Sequence, residues 1–381
     1  MPFAPARELL EELVGVQVSL ATARRVTLGA GVAALAVQEE EAKRLKQEVS
    51  EAPVGAEKQA LSADGAFVPL VGGEWAEVKT LVIGEVTCNK RGEICTQHLS
   101  SFSRLSAVES FEEAALVETH RRGVEKATAV CAVQDGAEWL PGFVDYHRAD
   151  AVRILDFAHA AEHISDMGKA AIGAGCARAS DWLAKQLHDL KHNGPSQVLV
   201  DLRTLVAKHP EVQELTDNLA YLEKREAQMQ YPTFQAAGWP IGSGCVESAN
   251  KVVVEARLKG AGMRWKRTNV NPMLVLRNAV CNKRWDEVWQ VSVRQRQHHH
   301  QKLRHERTQA RYEQAVARFM TLLLWCMPPT PRPALDPVPP PVNHPTSAPL
   351  EVTSGPHRPA ANHPWRRPLV VRPKEGALAK K

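Results

Sequence analysis

Two stretches of the sequence place an acid directly before a glycine inside a mostly apolar run: LSADGAFVPL over 61–70 and VCAVQDGAEWL over 130–140. Asp64 falls within one expected strand and Asp135 closes another. A glycine at the next position removes a side chain that would crowd a ligand, and it permits a bulge or a sharp exit from the strand. In a sheet with the first of these strands central, their ends lie side by side. Two carboxylates that close repel, and one protonates unless a cation sits between them. Hard oxygen donors with no histidine among them favour magnesium or manganese. Asp-Gly is also ordinary turn chemistry, so the two dipeptides need a third acid to carry the reading.

Glu247 supplies it, in GWPIGSGCVESANKVVVEARLKGAGMRWKRTN over 238–269. Pro240, Gly242 and Gly244 make a tight approach. From about Cys245 the period is helical, with Val246, Ala249, Val253 and Ala256 on one face and Gly260 and Gly262 ending the helix. Glu247, Asn250 and Lys251 are expected on the opposite face, from which the Glu247 carboxylate can reach a sheet edge. The segment then becomes basic: Arg257, Lys259, Arg264, Lys266 and Arg267 interleave with Trp265, a pattern that suits phosphates and stacked bases.

These residues need elements to hold them. Three strand-like runs over 58–104, separated by Gly72 and Gly73 and by NKRGE, predict an antiparallel meander. A helix over about 107–122, the run ATAVCAVQDGAEWL, a further helix and the short strand AVRILDF follow. Strand, strand, strand, helix, strand, helix, strand is an α/β pattern with a mixed sheet. From 159 to about 235 the chain is helical by period. Residues 7–38 read as two short helices joined by a turn, with Ser19 capping the second, which carries Arg24 and Arg25. That arrangement fits a helix-turn-helix, although a plain helical hairpin reads the same way. The expected division is a helical region and linker over 1–57, a core over 58–170, a helical insertion over 171–238, the end of the core with basic helices over 239–325, and a Pro-rich disordered tail over 326–381.

Composition narrows the class. The 381 residues suffice for a full core, and the net charge of +5 is mild, but 16 Lys and Arg face 5 acids between Lys251 and Arg318. A local excess of that kind is what a nucleic-acid footprint requires, although a set of solvated helix faces has the same composition. Of 25 prolines, 15 follow Met327, where few large apolar residues remain, hence the expectation of disorder. Seven cysteines without a CxxC pair support neither a disulfide framework nor a zinc ribbon. With no signal-peptide pattern and no apolar run of about 18 residues, the expectation is a cytoplasmic, nucleoid-associated protein with no membrane partner.

The block IGSGCVESANKVVVEARLKGAGMRWKRTNVNPMLVLRNAVCNKRWDEVW, with GGEWAEVKTLVIGEV, DGAEWLPGFVDYHRADAVRILDFAHAAEH and ANHPWRRP near the end, resembles transposases of the Kra-type bacterial insertion sequences, relatives of the Mutator-like DDE transposases. The resemblance covers nearly the whole chain. It implies a ribonuclease H-like catalytic core, an all-helical insertion before the last catalytic helix, and strand nicking and transfer at the ends of an insertion sequence. Asp64 and Asp135 match the family's two aspartates and Glu247 its glutamate, implied as catalytic and as ligands of two Mg2+ or Mn2+ ions, which lie about 3.5–4 Å apart in two-metal phosphoryl transfer. Double-stranded DNA, both the element's terminal repeats and the target, is the implied partner, with a homo-oligomer assembling on it. Arg24, Arg25, Lys251, Arg257, Lys259, Arg264, Trp265, Lys266 and Arg267 are the expected DNA contacts. Asp156 and His159 form the DxxH found after the second acid in Mutator-like transposases, expected to touch the cut strand or orient an acid. Family members commonly carry more sequence ahead of the helix-turn-helix region, which makes a truncated, non-catalytic DNA-binding remnant the first alternative.

A second alternative comes from HAAEH over 159–163, which matches the HxxEH pattern of inverted zincins, with Glu247 as a distant third ligand of zinc. It explains neither the basic segment nor the two Asp-Gly strands. His298, His299 and His300 point to different faces of a helix and form no shared ligand sphere.

Overall fold

Small and β-branched residues at alternate positions let a strand bury both faces under helices, and the central strands have that composition. The computed structural model describes residues 2–326 apart from Val49 and Ala174. Strands β1 (Lys58–Pro69), β2 (Trp75–Cys88), β3 (Ile94–Arg104), β4 (Ala129–Gln134) and β5 (Val152–Leu155) form one sheet in the order β3-β2-β1-β4-β5. β1–β2 and β2–β3 are antiparallel, as the meander predicts, whereas β1–β4 and β4–β5 are parallel. The sheet is therefore mixed and open, with β1 at its centre.

Helices cover both faces. On one face, α3 (Val108–Arg121) and α4 (Leu140–Arg148) pack Phe111 and Phe143 over Leu61, Ala63, Leu81 and Ile83. Those two rings stack at 5.3 Å. The other face is shared by two groups of helices. Toward β4 and β5 lie α5 (Phe157–Ile172) and the insertion helices α6 (Ala177–Asn193), α7 (Pro195–Lys208), α8 (Gln213–Glu223) and α9 (Tyr231–Ala236). Toward the far ends of β1 and β2 lie α10 (Gly244–Ala249), a π-helical segment (Asn250–Glu255), α11 (Ala256–Leu258) and α12 (Arg267–Cys281). Along β1, Ala60 joins the first group while Ala66 and Val68 join the second. Asp64 shares their face and falls at the seam between them.

The N-terminal region has the two expected helices and the Ser19 cap, but its second helix is longer than expected. α1 (Phe3–Val14) is followed by a single 28-residue α2 (Leu20–Gln47), capped by the Ser19 hydroxyl accepting from the Thr22 amide at 3.0 Å. The short second helix and the charged helix after it are thus continuous. The small residues Ala30, Gly31, Ala33 and Ala34 are buried, and a Cβ at Gly31 would lie 2.2 Å from the Pro272 carbonyl oxygen. Close approach of backbone to backbone sets α2 on α12, so α1 and α2 belong to the same compact unit as the sheet, residues 1–313. By length and composition alone α2 is also long and apolar enough to cross a membrane.

Helix α13 (Trp285–Cys326) runs from the first unit into the second, residues 314–381. The described part of that second unit is helical and exposes Phe319, Met320, Leu322 and Trp325. The Pro-rich tail expected after 326 lies outside the described residues.

Candidate active site

The register of the parallel strands decides where the acids meet. The β1–β4 pairing ends at Leu61 and Ala132, and Asp64 and Asp135 each follow it by three residues, at the same end of the two parallel strands. Both side chains point to the face that carries Ala60, Cys131 and Val133, because side chains alternate along a strand. β4 and β5 pair Gln134 with Leu155, and the Asp156 amide donates to the Gln134 carbonyl at 2.8 Å. Three aspartates thus follow one another across β1, β4 and β5.

Asp64 is partly buried and held at both oxygens. The Gly65 amide donates to Oδ1 at 2.6 Å and Asn250 Nδ2 to Oδ2 at 2.8 Å. Burial pushes the Asp64 carboxyl above the ordinary carboxylate range; the Gly65 amide opposes this, the Asp135 charge adds to it, and Asn250 and His159 favour the ionised form. The influence of Asp135 and His159 places both in the neighbourhood of Asp64.

Asp135 is positioned from the helical insertion. Its Oδ1 accepts the Ala137 amide at 3.0 Å, while its carbonyl accepts the Tyr221 hydroxyl. Arg225 Nη2 donates to the Gly136 carbonyl at 2.6 Å. The Arg225 guanidinium lies 3.7 Å from the centre of the Tyr221 ring and the His163 ring stacks on it at 3.8 Å, so the phenol is held between them. Neither Tyr221 nor Arg225 was singled out by the sequence, since nothing local to α8 ties it to a strand end more than 80 residues earlier.

The two glycines differ in purpose. Gly136 has φ of +80°, and a Cβ there would lie 2.5 Å from both the Tyr221 hydroxyl and Arg225 Nε. Its need is conformational and steric. A Cβ at Gly65 would meet the flexible Glu77 carboxylate, at 2.1 Å from Oε1. Both contacts are to protein, so room for a ligand is not what these glycines provide.

Asp156 is buried and fully engaged. One oxygen caps α5, accepting the Ala158 and His159 amides at 2.6 and 3.1 Å, and the other accepts the Ser243 amide just ahead of α10. It is a staple between α5 and the segment leading to Glu247. His159 is half-buried, with Nδ1 3.4 Å from the Glu162 carboxylate. His163, its partner in the HxxEH pattern, is hydrogen-bonded to Asn218 and stacked on Tyr221, a setting that explains its place without a metal.

Glu247 lies on α10, exposed, one turn before Asn250. Among the described residues, no three His, Cys, Asp or Glu side chains are grouped as a metal site. The helix face differs from expectation. Val246, Asn250, Val253, Val254, Arg257 and Leu258 are buried, rather than the face through Ala249 and Ala256. Asn250 follows buried Val246 by four residues, one α-helical turn, and so shares its inward face and reaches Asp64; the wider π-helical turn over Asn250–Glu255 rotates only the residues after it.

The expected DNA contacts divide likewise. Arg24 and Arg25 on α2 and Arg264 and Lys266 beyond α11 line one groove of about 1000 Å³, with Arg257 at its wall and no acid among its lining residues. Trp265 is buried, donates its indole N–H to the Leu258 carbonyl at 3.1 Å and bridges to Leu70 at the end of β1. It is core, not a stacking platform. Arg257 is buried against the Phe3 and Trp265 rings, and burial followed by the Arg277 charge lowers its pKa. Arg267 pairs with Glu74 and Lys259 with Glu255. Lys251 is exposed.

A scan against protein-family models finds no match to this chain, and a search of curated proteins finds none either.

Proposed function

We propose that this protein is a DDE-type DNA transposase with a ribonuclease H-like core, nicking and joining DNA strands at the ends of an insertion sequence. One observation carries the reading: Asp64 on the central strand and Asp135 just after its parallel neighbour each follow the last paired residues by three positions in a β3-β2-β1-β4-β5 mixed sheet. The strand order and directions are those expected of a ribonuclease H-like core. A groove lined by Arg24, Arg25, Arg264 and Lys266 supports a polyanionic partner.

The residues fit a divalent-cation pair. The donors are carboxylates, and Asn250 Oδ1, a neutral hard oxygen, is buried with no hydrogen-bond partner beside Asp64. Asp64 and Asp135 would hold Mg2+ or Mn2+, with Glu247 contributed by the helix that already reaches Asp64. When bound, such ions supply charge stabilisation to the attacking and leaving oxygens of phosphoryl transfer. The protein's own part is placement. Tyr221 and Arg225 fix the backbone of Asp135 and Gly136, Asp156 ties α5 to the approach to α10, and the basic groove orients the phosphate backbone. We place the reaction in the cytoplasm, on nucleoid DNA, in a homo-oligomer.

A DNA-binding remnant is the second reading, favoured by the exposed Glu247 side chain. One assay separates the two: binding and nicking of supercoiled DNA that carries the element's ends, with Mg2+ or Mn2+, for the parent and Asp135→Asn. The enzyme reading expects equal binding and at least about 10²-fold less nicking by the variant. A parent that binds without nicking selects the remnant.

A further inference from the structure

We infer that Asn250 is a positioning residue of the cation site, holding the Asp64 carboxylate in its binding orientation through Nδ2 and presenting Oδ1 as a further oxygen acceptor. The inference rests on the transposase reading above and adds to it a residue outside the three acids.

The geometry is specific. Asn250 is 6% exposed and begins the π-helical segment Asn250–Glu255. Its Nδ2 donates to Asp64 Oδ2 at 2.8 Å, linking the last group of helices to the centre of the sheet. Its Oδ1 is buried without a partner. The neighbours on its helix face are Val246, Val253 and Val254, all buried. A carboxamide on a valine-bearing helix face with its oxygen unpartnered destabilises the fold relative to an apolar residue of similar shape. Buried polar groups left in that state call for a reason beyond packing. A π-helical turn is also a feature that recurs at functional sites.

The donor set supplies the reason. Asp64 Oδ1 already accepts its own chain's Gly65 amide. With Oδ2 tied to Asn250, the carboxylate cannot rotate about its Cβ–Cγ bond, so its free lone pairs stay aimed along the face shared with Asp135. Fixing a ligand by a hydrogen-bonded neighbour is how outer groups raise the affinity of a metal site, typically by 10–100-fold. Asn250 also joins that site to the turn of helix that bears Glu247, three residues earlier.

The test uses the full-length chain and Mn2+ alone, with binding followed by electron paramagnetic resonance of free Mn2+ and folding by thermal melts in chelator. Asn250→Leu keeps the branched shape and number of heavy atoms, with somewhat greater volume, and removes both polar atoms. We expect it to raise Tm in chelator and to weaken Mn2+ binding at least tenfold. Asn250→Ala should weaken binding equally, which covers a leucine that fails to pack, and Asn250→Gln should recover part of the affinity. Asp64→Asn is the reference for loss of the site. If Asp64→Asn loses Mn2+ while Asn250→Leu and Asn250→Ala bind like the parent, Asn250 is only a buried amide and the inference is overturned. If the parent itself binds no Mn2+ at millimolar concentration, the cation reading of the site fails and takes the inference with it.

Discussion

Asp64 on β1 and Asp135 just after β4 each lie three residues beyond Leu61 and Ala132, the last pair of the parallel ladder. The two like charges share one face of the sheet at a seam between apolar clusters. Burial and the Asp135 charge both raise the Asp64 carboxyl, against the pull of the Gly65 amide, Asn250 and His159.

This pair opposes folding once it ionises. A carboxyl whose pKa is raised in the folded state binds its proton more tightly there, so its contribution is intact at low pH and is lost as pH rises through the raised value. Asp64→Asn should therefore raise Tm at pH 7 in chelator, and the advantage should vanish at a pH below the ordinary carboxylate range. A melt series across pH checks this; equal melting of the two proteins at neutral pH would contradict it.

The glycines after the acids should differ in sensitivity. Gly136→Ala places a side chain at φ of +80° and against Tyr221 and Arg225, and should destabilise by about 2–3 kcal/mol, the scale of strained backbone plus overpacking. Gly65→Ala meets only the movable end of Glu77 and should lose less than about half as much. Urea unfolding of both variants decides; the reverse order would mean that the Tyr221–Arg225 clamp yields easily.

His147 gives the protein an acid-sensitive core. The imidazole is buried beside Phe143, and burial lowers its pKa to about 4. In the unfolded chain it titrates near 6.5, so the unfolded state binds more protons between those values. Stability should fall as pH drops from about 6.5 to about 4, by roughly 3 kcal/mol in all from this group. His147→Leu should flatten that limb of the pH–stability curve. An unchanged slope would remove His147 from the account.

Arg24 and Arg25 should act on the same DNA segment as Arg264 and Lys266, because they line one groove. Replacing either pair with alanine should reduce the slope of log K against log salt by about 2 on a single short duplex, near 0.9 per lost phosphate contact. If only one pair changes the slope, the groove is not one surface. Trp265→Ala, by contrast, should cost about 3–5 kcal/mol of stability, as an emptied core site does.

The sequence by itself determined the local elements and the two acids. Alternating apolar residues with glycine-rich turns defined β1, β2 and β3, and the run before Asp135 defined β4. These signals are short-range: strand pleat and turn chemistry act over a few residues, so they are written where they operate. Once β1 is central, the proximity of Asp64 and Asp135 follows.

What only the tertiary structure decided was long-range or depended on a change of helical pitch. The Tyr221–Arg225 clamp on Asp135 and Gly136 joins segments that have no sequence relation to one another. Burial of Trp265 arises because its backbone pairs with the end of β1, although its basic flanks suggest a surface. Fusion of α2 to α12 depends on a close fit at Gly31 that composition does not encode. Asn250 turns inward one α-helical turn after buried Val246, and the π-helical turn that begins there shifts only the residues after it. Periodicity reports which residues could share a face, whereas packing against the sheet selects the face that is buried.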